Sequence, residues 1–446
     1  MRRHAVLTDT HIIWISENER RLTGCKYPIH PQHVSELWVM GKDLGVTHFW
    51  VMPGTPIDGM GYSFFTEKEE YDIFVSMGDK DGEQKPKYPR SARCTKDNVE
   101  IKIGYPFREP FGWTCNHPLD VLAAIDYLQQ LLPLTVQWSP QSMGERLLRD
   151  QYRATNRLQS YVADSTVDLG EMPFRKAAPD ILFMQQWTPD MIGKYAHWFD
   201  KNAAHPTAAG MVTTGTGDPV HMVGCPEGPF KSGIYKVRFS SKGSPFDGVQ
   251  LPKIIESEWI TADVLRYAMK HGYQVDVMEC YTFEHGYRLF EKWAPTLWDA
   301  RQALKNKQRF PYEQGRENAY WTVKDIANRT ISSLRKNWWA DMVGQSRTAK
   351  LANLASWAGM GHYPQVVYFD DMCFLSDDEA PEHAIPGILA RQDKPGGYKH
   401  KCSVLLTSEM IQDLMQFNGK EHKHAASKAL IYLKHHARLK GVVNGR

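Results

Sequence analysis

The chain has 446 residues, 42% hydrophobic and 12% aromatic, with 54 lysines and arginines against 51 aspartates and glutamates. That length suits two or three domains of about 100–200 residues, and the composition excludes intrinsic disorder and collagen-like or low-complexity classes. A net charge of +3 excludes a histone-like cloak of basic residues, so nucleic-acid contact has to come from local patches.

Seven scattered cysteines (25, 94, 115, 225, 280, 373 and 402) form no C-x-x-C pair, which argues against a disulfide framework and a structural zinc site. Reduced thiols in a cytoplasm are expected. No apolar run approaches the roughly 20 residues of a membrane helix, and no apolar core follows the charged start. A soluble cytoplasmic protein without a membrane partner is expected.

In chain order, Ala5–Ile15 is rich in β-branched and aromatic residues and reads as strand. A helix is predicted around Pro31–Leu44, then a strand over Thr47–Met52 that Pro53-Gly54 stops. Residues 76–98 are polar and read as an exposed loop. Pro118–Leu132 is an amphipathic helix, with Leu119, Leu122, Ile125 and Leu128 at helical spacing. Gly215-Thr216-Gly217 lacks the lysine of a phosphate loop and reads as a turn. Strands at Gly233–Phe239 and Tyr273–Tyr281 surround a helix over Thr261–His271. A charged helical region spans Trp293–Val343, a strand and turn span Gln365–Leu375, and a basic helix spans Lys420–Lys440. That last helix places Ala425, Ala429, Leu430 and Leu433 on one face and Lys423, Lys434, Arg438 and Lys440 elsewhere. Strands mixed with helices predict an α/β or α+β first domain ending near residue 178.

Residues 381–446 hold 11 lysines and arginines against 5 acids, so the basic surplus is C-terminal. Such a helix either grips phosphates, releasing counterions from a duplex, or is a solvated surface helix. Two acidic sites stand out. Asp200 closes an apolar stretch, and Asp370-Asp371 ends the β-branched and aromatic run Val366–Phe369. Carboxylates brought together from two strand ends can hold two divalent ions for in-line phosphoryl transfer. Taken singly, an Asp at a strand end is also a favoured turn residue.

Asp200-x-x-Ala-Ala-His205-Pro206-Thr207 resembles the first palm motif of family B DNA polymerases, D-x-x-S-L-Y-P-S. Lys324-Asp-Ile-Ala-Asn328 resembles the fingers motif K-x-x-x-N-S-x-Y-G, and Tyr368-Phe369-Asp370-Asp371 resembles the palm hairpin Y-x-D-T-D. Trp259-Ile-Thr-Ala, His271-Gly-Tyr273 and Tyr281 are similar to palm text of the viral and protein-primed members. The likeness spans about residues 180–400, in the family's order.

The resemblance implies an α+β fold: a right-hand palm, fingers and short thumb preceded by a ribonuclease-H/exonuclease-like α/β domain. The implied boundaries are 1–178 for the exonuclease-like domain, 179–292 and 345–408 for the palm, 293–344 for the fingers and 409–446 for a short basic thumb. Asp200, Asp370 and Asp371 would hold Mg²⁺ or Mn²⁺ and carry catalysis. Lys324, Asn328, His205 and Arg301 would bind the nucleotide. Tyr398, Lys399, Lys401, Lys434 and Arg438 would grip nucleic acid. Primer-template DNA and dNTPs are the implied partners, with a terminal protein or other replication partner in a phage or linear-plasmid setting. The sequence also departs from the family. Met372 stands where the second hairpin acid falls, so either Asp371 replaces it, as in the Y-x-D-D of reverse transcriptases, or the metal site is impaired. Arg329, Ile331 and Ser332 replace the Ser, Tyr and Gly of the fingers motif, and His205 replaces a tyrosine. Asp9-Thr10-His11 offers a histidine where the nuclease has D-x-E, and Tyr161 and Asp164 have the wrong spacing for its third motif. A DNA polymerase without proofreading is the leading expectation. A catalytically decayed nucleic-acid-binding factor and a metal-dependent nuclease are the alternatives.

Overall fold

A computed structural model describes residues 3–9, 11–15, 24–28, 31–65, 70–77, 89–108, 110–114, 117–137, 139–153, 182–240, 259–333 and 336–439. Tyr161, Asp164 and Lys440 lie outside the described residues. The chain forms two compact units, Met1–Ala154 with Thr296–Ser333, and Thr155–Pro295 with Leu334–Arg446.

The first unit opens on a hairpin of β1 (Arg3–Leu7) and β2 (His11–Ile15), where the sequence reads as one strand. There follow β3 (Gly24–Pro28), α1 (Val34–Leu44), β4 (Val46–Val51), α2 (Pro56–Met60), β5 (Asp72–Met77), β6 (Pro89–Lys96) and β7 (Val99–Gly104). The seven strands make one sheet in the order β3-β2-β1-β4-β7-β6-β5, with β4 parallel to both β1 and β7. The expected exposed loop at 76–98 is therefore partly strand. Ala92 and Cys94 of β6 are buried while Arg93 between them is exposed, so a strand with one solvated face was concealed by polar composition. Asp97 and Asn98, both left-handed, form the two-residue turn into β7. The predicted amphipathic helix is α3 (Pro118–Leu131), and α4 (Pro140–Arg153) follows it.

The second unit begins with β8 (Leu182–Met184), β9 (Tyr195–Lys201), α5 (Ala204–Met211), β10 (Thr214–Thr216), β11 (Val220–Val223) and β12 (Gly233–Ser240). It continues with β13 (Trp259–Thr261), α6 (Ala262–Lys270), β14 (Gln274–Thr282) and β15 (His285–Tyr287). The boundary between units then falls within α7 (Trp293–Ala303), and α8 (Glu313–Ser332) belongs to the first unit. There α8 packs on α3, where a Cβ at Gly315 would come within 2.7 Å of both the Ala123 Cβ and the Asp120 carbonyl. The Trp113 indole N–H donates to Thr322 Oγ1 of α8 at 2.8 Å.

The second unit resumes with α9 (Lys336–Gly359), β16 (Val366–Tyr368), β17 (Asp371–Ser376), α10 (Pro381–Ala384), β18 (Tyr398–Leu405), α11 (Ser408–Met415) and α12 (His422–Leu439). Its main sheet is antiparallel, in the order β18-β9-β17-β16-β8. One face carries Phe199, Met372, Phe374 and Tyr398 against α6, α9 and α10. The other carries Ala196, Trp198, Cys373 and Cys402 against Met410 and Leu414 of α11 and Ala429, Leu430 and Leu433 of α12. A four-stranded sheet (β11-β14-β12-β13) and a two-stranded one (β10-β15) complete the unit. Gly215, expected in a turn, lies in β10. Its carbonyl accepts from Asn337 Nδ2 at 2.9 Å and Trp338 Nε1 at 3.0 Å, so partners distant in sequence hold it extended. Among the described residues, no helix is long and apolar enough to cross a membrane.

Candidate functional site

Side chains alternate across a strand, so the register of β9 and β17 decides which acids meet. Asp371 pairs directly with Asp200, while Met372 pairs with Phe199 inside the core. The Val366–Phe369 run does not lead straight into two adjacent ladder acids. Strand β16 ends at Tyr368, and Phe369 and Asp370 form a two-residue turn back to Asp371. Phe369 adopts φ 51°, a left-handed conformation that costs a bulky residue on the order of 1–3 kcal/mol. Two buried lysines brace this turn. Lys350 Nζ donates to the Phe369 carbonyl, and the Lys201 backbone N–H donates to the Asp370 carbonyl at 3.1 Å.

Like charges directly opposite on a sheet repel, and three lysines offset the Asp200–Asp371 pair. Lys399 and Lys401 of β18 lie 3.3 and 3.1 Å from Asp200 Oδ2. A bulge between His400 and Cys402 leaves Lys401 beside Asp200 while returning Cys402 to the core. Upstream, Gly396 and Gly397 fix the entry to β18. The Asn202 N–H donates to the Gly397 carbonyl and the Gly396 N–H to the Asn202 carbonyl, both at 2.8 Å. A Cβ at Gly397 would lie 1.8 Å from the Arg391 carbonyl oxygen. Lys434 of α12 places its ammonium 3.9 Å from Asp371 Oδ2 and 3.7 Å from the centre of a Trp198 ring. The Trp198 indole N–H donates to Asp371 Oδ1 at 2.6 Å. Burial raises the Asp371 carboxyl above its ordinary value, against the pull of Lys434. Burial likewise lowers the Lys434 ammonium, against the pull of Asp371.

The second unit thus brings together Asp200, Asp371, Lys399, Lys401 and Lys434, and does not bring Asp370 into that group. The charge of Asp370 acts instead on Lys201 and Tyr398. Burial, with the neighbouring Lys350 charge, lowers the Lys201 ammonium to about 8. Tyr398, expected to contact nucleic acid, is a core residue 4% exposed. Its hydroxyl accepts from Asn353 Nδ2 at 3.1 Å and its ring packs edge-on against Trp357. Register explains this correction, because Tyr398 pairs with Lys201 and shares the face opposite Lys399. His205 is partly exposed in the first turn of α5, and Arg438 is exposed in the last turn of α12. Lys324, Asn328 and Arg301 belong to the first unit. There Lys324 lies 4.6 Å over Trp321, and Arg301 Nη2 donates to the Tyr320 hydroxyl at 2.9 Å. Sequence reasoning missed Trp198, whose position two residues before Asp200 signals a shared face. It also missed Lys201 and Lys350, whose role depends on a turn that the sequence pattern does not mark.

Among the described residues, no group of three or more His, Cys, Asp or Glu side chains could hold a metal ion. The acids that face each other are the carboxylate pair Asp200 and Asp371. Two hard oxygen donors on one face fit Mg²⁺ or Mn²⁺ when phosphates and water complete the coordination. No protein-family model and no curated protein matches the chain. Among solved structures, Phi29 DNA polymerase complexed with primer-template DNA and incoming nucleotide substrates is similar at TM-score 0.51 and 10% identity, over 91% of this chain and 85% of that one. The same polymerase with primer-template DNA alone gives 0.49 and 11% over the same shares. At such identity the likeness shows the fold alone: this chain has a mixed α+β fold like that of Phi29 DNA polymerase across 91% of its length.

Proposed function

We propose that this chain is a small family B-like DNA polymerase that extends a primer with dNTPs at Asp200 and Asp371. The observation carrying this reading is their direct cross-strand pairing on one face, beside the lysines of β18. A bound Mg²⁺ or Mn²⁺ would lower the pKa of the attacking hydroxyl and offset phosphate charge. Lys399 and Lys401 would hold backbone phosphates next to the acids, and the Trp198 N–H would fix the Asp371 carboxylate. In this reading the five-stranded sheet corresponds to the palm, α8 with Lys324 and Asn328 to the fingers, and residues 409–446 to the short thumb. Residues 1–178 would serve as an exonuclease-like scaffold without nuclease activity, His11 standing where the second acid belongs.

The test is incorporation of labelled nucleotide with Mg²⁺ or Mn²⁺. Asp200→Ala and Asp371→Asn are each expected to reduce it at least about 10²-fold, as loss of several kcal/mol of charge stabilisation does. Failure of the wild type to extend DNA, RNA or protein primers with either metal would overturn the reading, and shortening of the primer would instead indicate a nuclease. One observation favours a second reading, nucleic-acid binding without catalysis. Three lysines already offset Asp200 and Asp371. That reading predicts salt-sensitive DNA binding without metal dependence.

A further inference from the structure

Both oxygens of Asp371 are engaged before any ligand arrives. The Trp198 indole binds Oδ1 at 2.6 Å, and its ring underlies the Lys434 ammonium that faces Oδ2 at 3.9 Å. The origin of Lys434 distinguishes it from the lysines at Asp200. Lys399 and Lys401 belong to the strand beside Asp200, whereas Lys434 reaches in from α12. That helix is anchored without it, through Ala425, Ala426, Ala429, Leu430, Leu433 and Ala437. The Lys434 side chain is 48% exposed, and Arg438 is exposed one turn further on. One long, flexible cation can therefore meet the carboxylate or a phosphate outside.

We propose that Lys434 gates the acidic site: it competes with a divalent cation for Asp371 and is drawn off when a nucleic-acid phosphate engages α12. The gate rests on the reading of Asp200 and Asp371 as a metal-binding pair. A half-exposed ion pair of this kind is weak, which is what a reversible gate requires. Because coupling between two ligands is reciprocal, duplex binding would tighten metal binding and metal would tighten duplex binding.

The experiment measures Mn²⁺ binding to the full chain by electron paramagnetic resonance, with and without a short DNA duplex. Lys434→Met, which keeps the apolar stem, is expected to bind Mn²⁺ about three- to five-fold tighter than wild type. Lys434→Arg should bind as wild type does, separating charge from packing. The duplex should tighten Mn²⁺ binding by a similar factor in wild type and leave Lys434→Met unchanged. Equal Mn²⁺ affinity in wild type and Lys434→Met, or an equal duplex effect in both, overturns the gate while leaving the metal reading intact. If Mn²⁺ binds neither protein, the gate and the metal reading both fail.

Discussion

A carboxylate withdrawn from water needs charge or hydrogen bonds in exchange, and the second unit meets that need in two ways. Asp371 has Lys434 and the Trp198 indole beside it. Asp341 of α9 is 3% exposed, and its Oδ2 accepts from Ser232 Oγ at 3.1 Å. Burial raises the Asp341 carboxyl well above its ordinary value, and the Asp263 charge adds to the effect. Between the unfolded value near 3.9 and the higher folded one, the folded chain keeps a proton that the unfolded chain releases. Stability therefore falls as pH rises through that window. Asp341→Asn removes this component, so urea denaturation should show wild type losing stability relative to the variant as pH rises from about 4. A constant difference across that range would refute the assignment. Asp200 was legible in the sequence because it lies near the end of the apolar strand β9, where period-two alternation puts it on the face of Trp198. Asp371 stood out only in tandem with Asp370, and it opens β17 instead of closing the apolar run. The fate of Asp370 was not legible, because a tandem acid joins or leaves a ladder according to where the turn falls, and nothing in Tyr368-Phe369-Asp370-Asp371 favours a turn at a left-handed phenylalanine.

At the scale of elements, α12 shows what a local period reveals and what it cannot. Ala425, Ala429, Leu430 and Leu433 recur at helical spacing, and they are the residues that the structure buries. Their destination against Trp198 and Cys402 has no local signature, nor does the approach of Lys434 to Asp371 from the edge of that stripe. The strand β6 was hidden for the converse reason: an antiparallel strand solvated on one face has a polar composition, and only the alternation of Ala92 and Cys94 betrays it. α8 was legible as helix, but its Gly315 gave no sign that it closes on α3 in the first unit. The packing of α12 is testable through one side chain. Leu430 is 2% exposed within the cluster that includes Trp187 and Val404, and Leu430→Ala should cost about 2–5 kcal/mol in denaturant unfolding. A loss under about 1 kcal/mol would mean that α12 is not seated on the sheet.

For the molecule as a whole, the near balance of 54 basic against 51 acidic residues conceals how the charges are distributed. Residues 381–446 carry 11 lysines and arginines, and three of those lysines lie beside Asp200 and Asp371. Among the cations left exposed to a phosphate backbone are those along α12, including Lys428 and Arg438. A duplex held by this group would displace counterions in proportion to the phosphates neutralised, with log K falling against log salt at about −0.9 per contact. Three to four such contacts give a slope of roughly −2.7 to −3.6. Arg438→Ala removes one exposed cation from the helix end without touching the acid pair, so it should lower the slope by about 1 in magnitude and weaken binding uniformly across sequences. Fluorescence anisotropy of a labelled duplex over a salt series measures both quantities. A slope unchanged by Arg438→Ala would exclude this side of α12 as the electrostatic contact and return that role to the lysines of β18, whose own engagement with Asp200 would then have to break on binding.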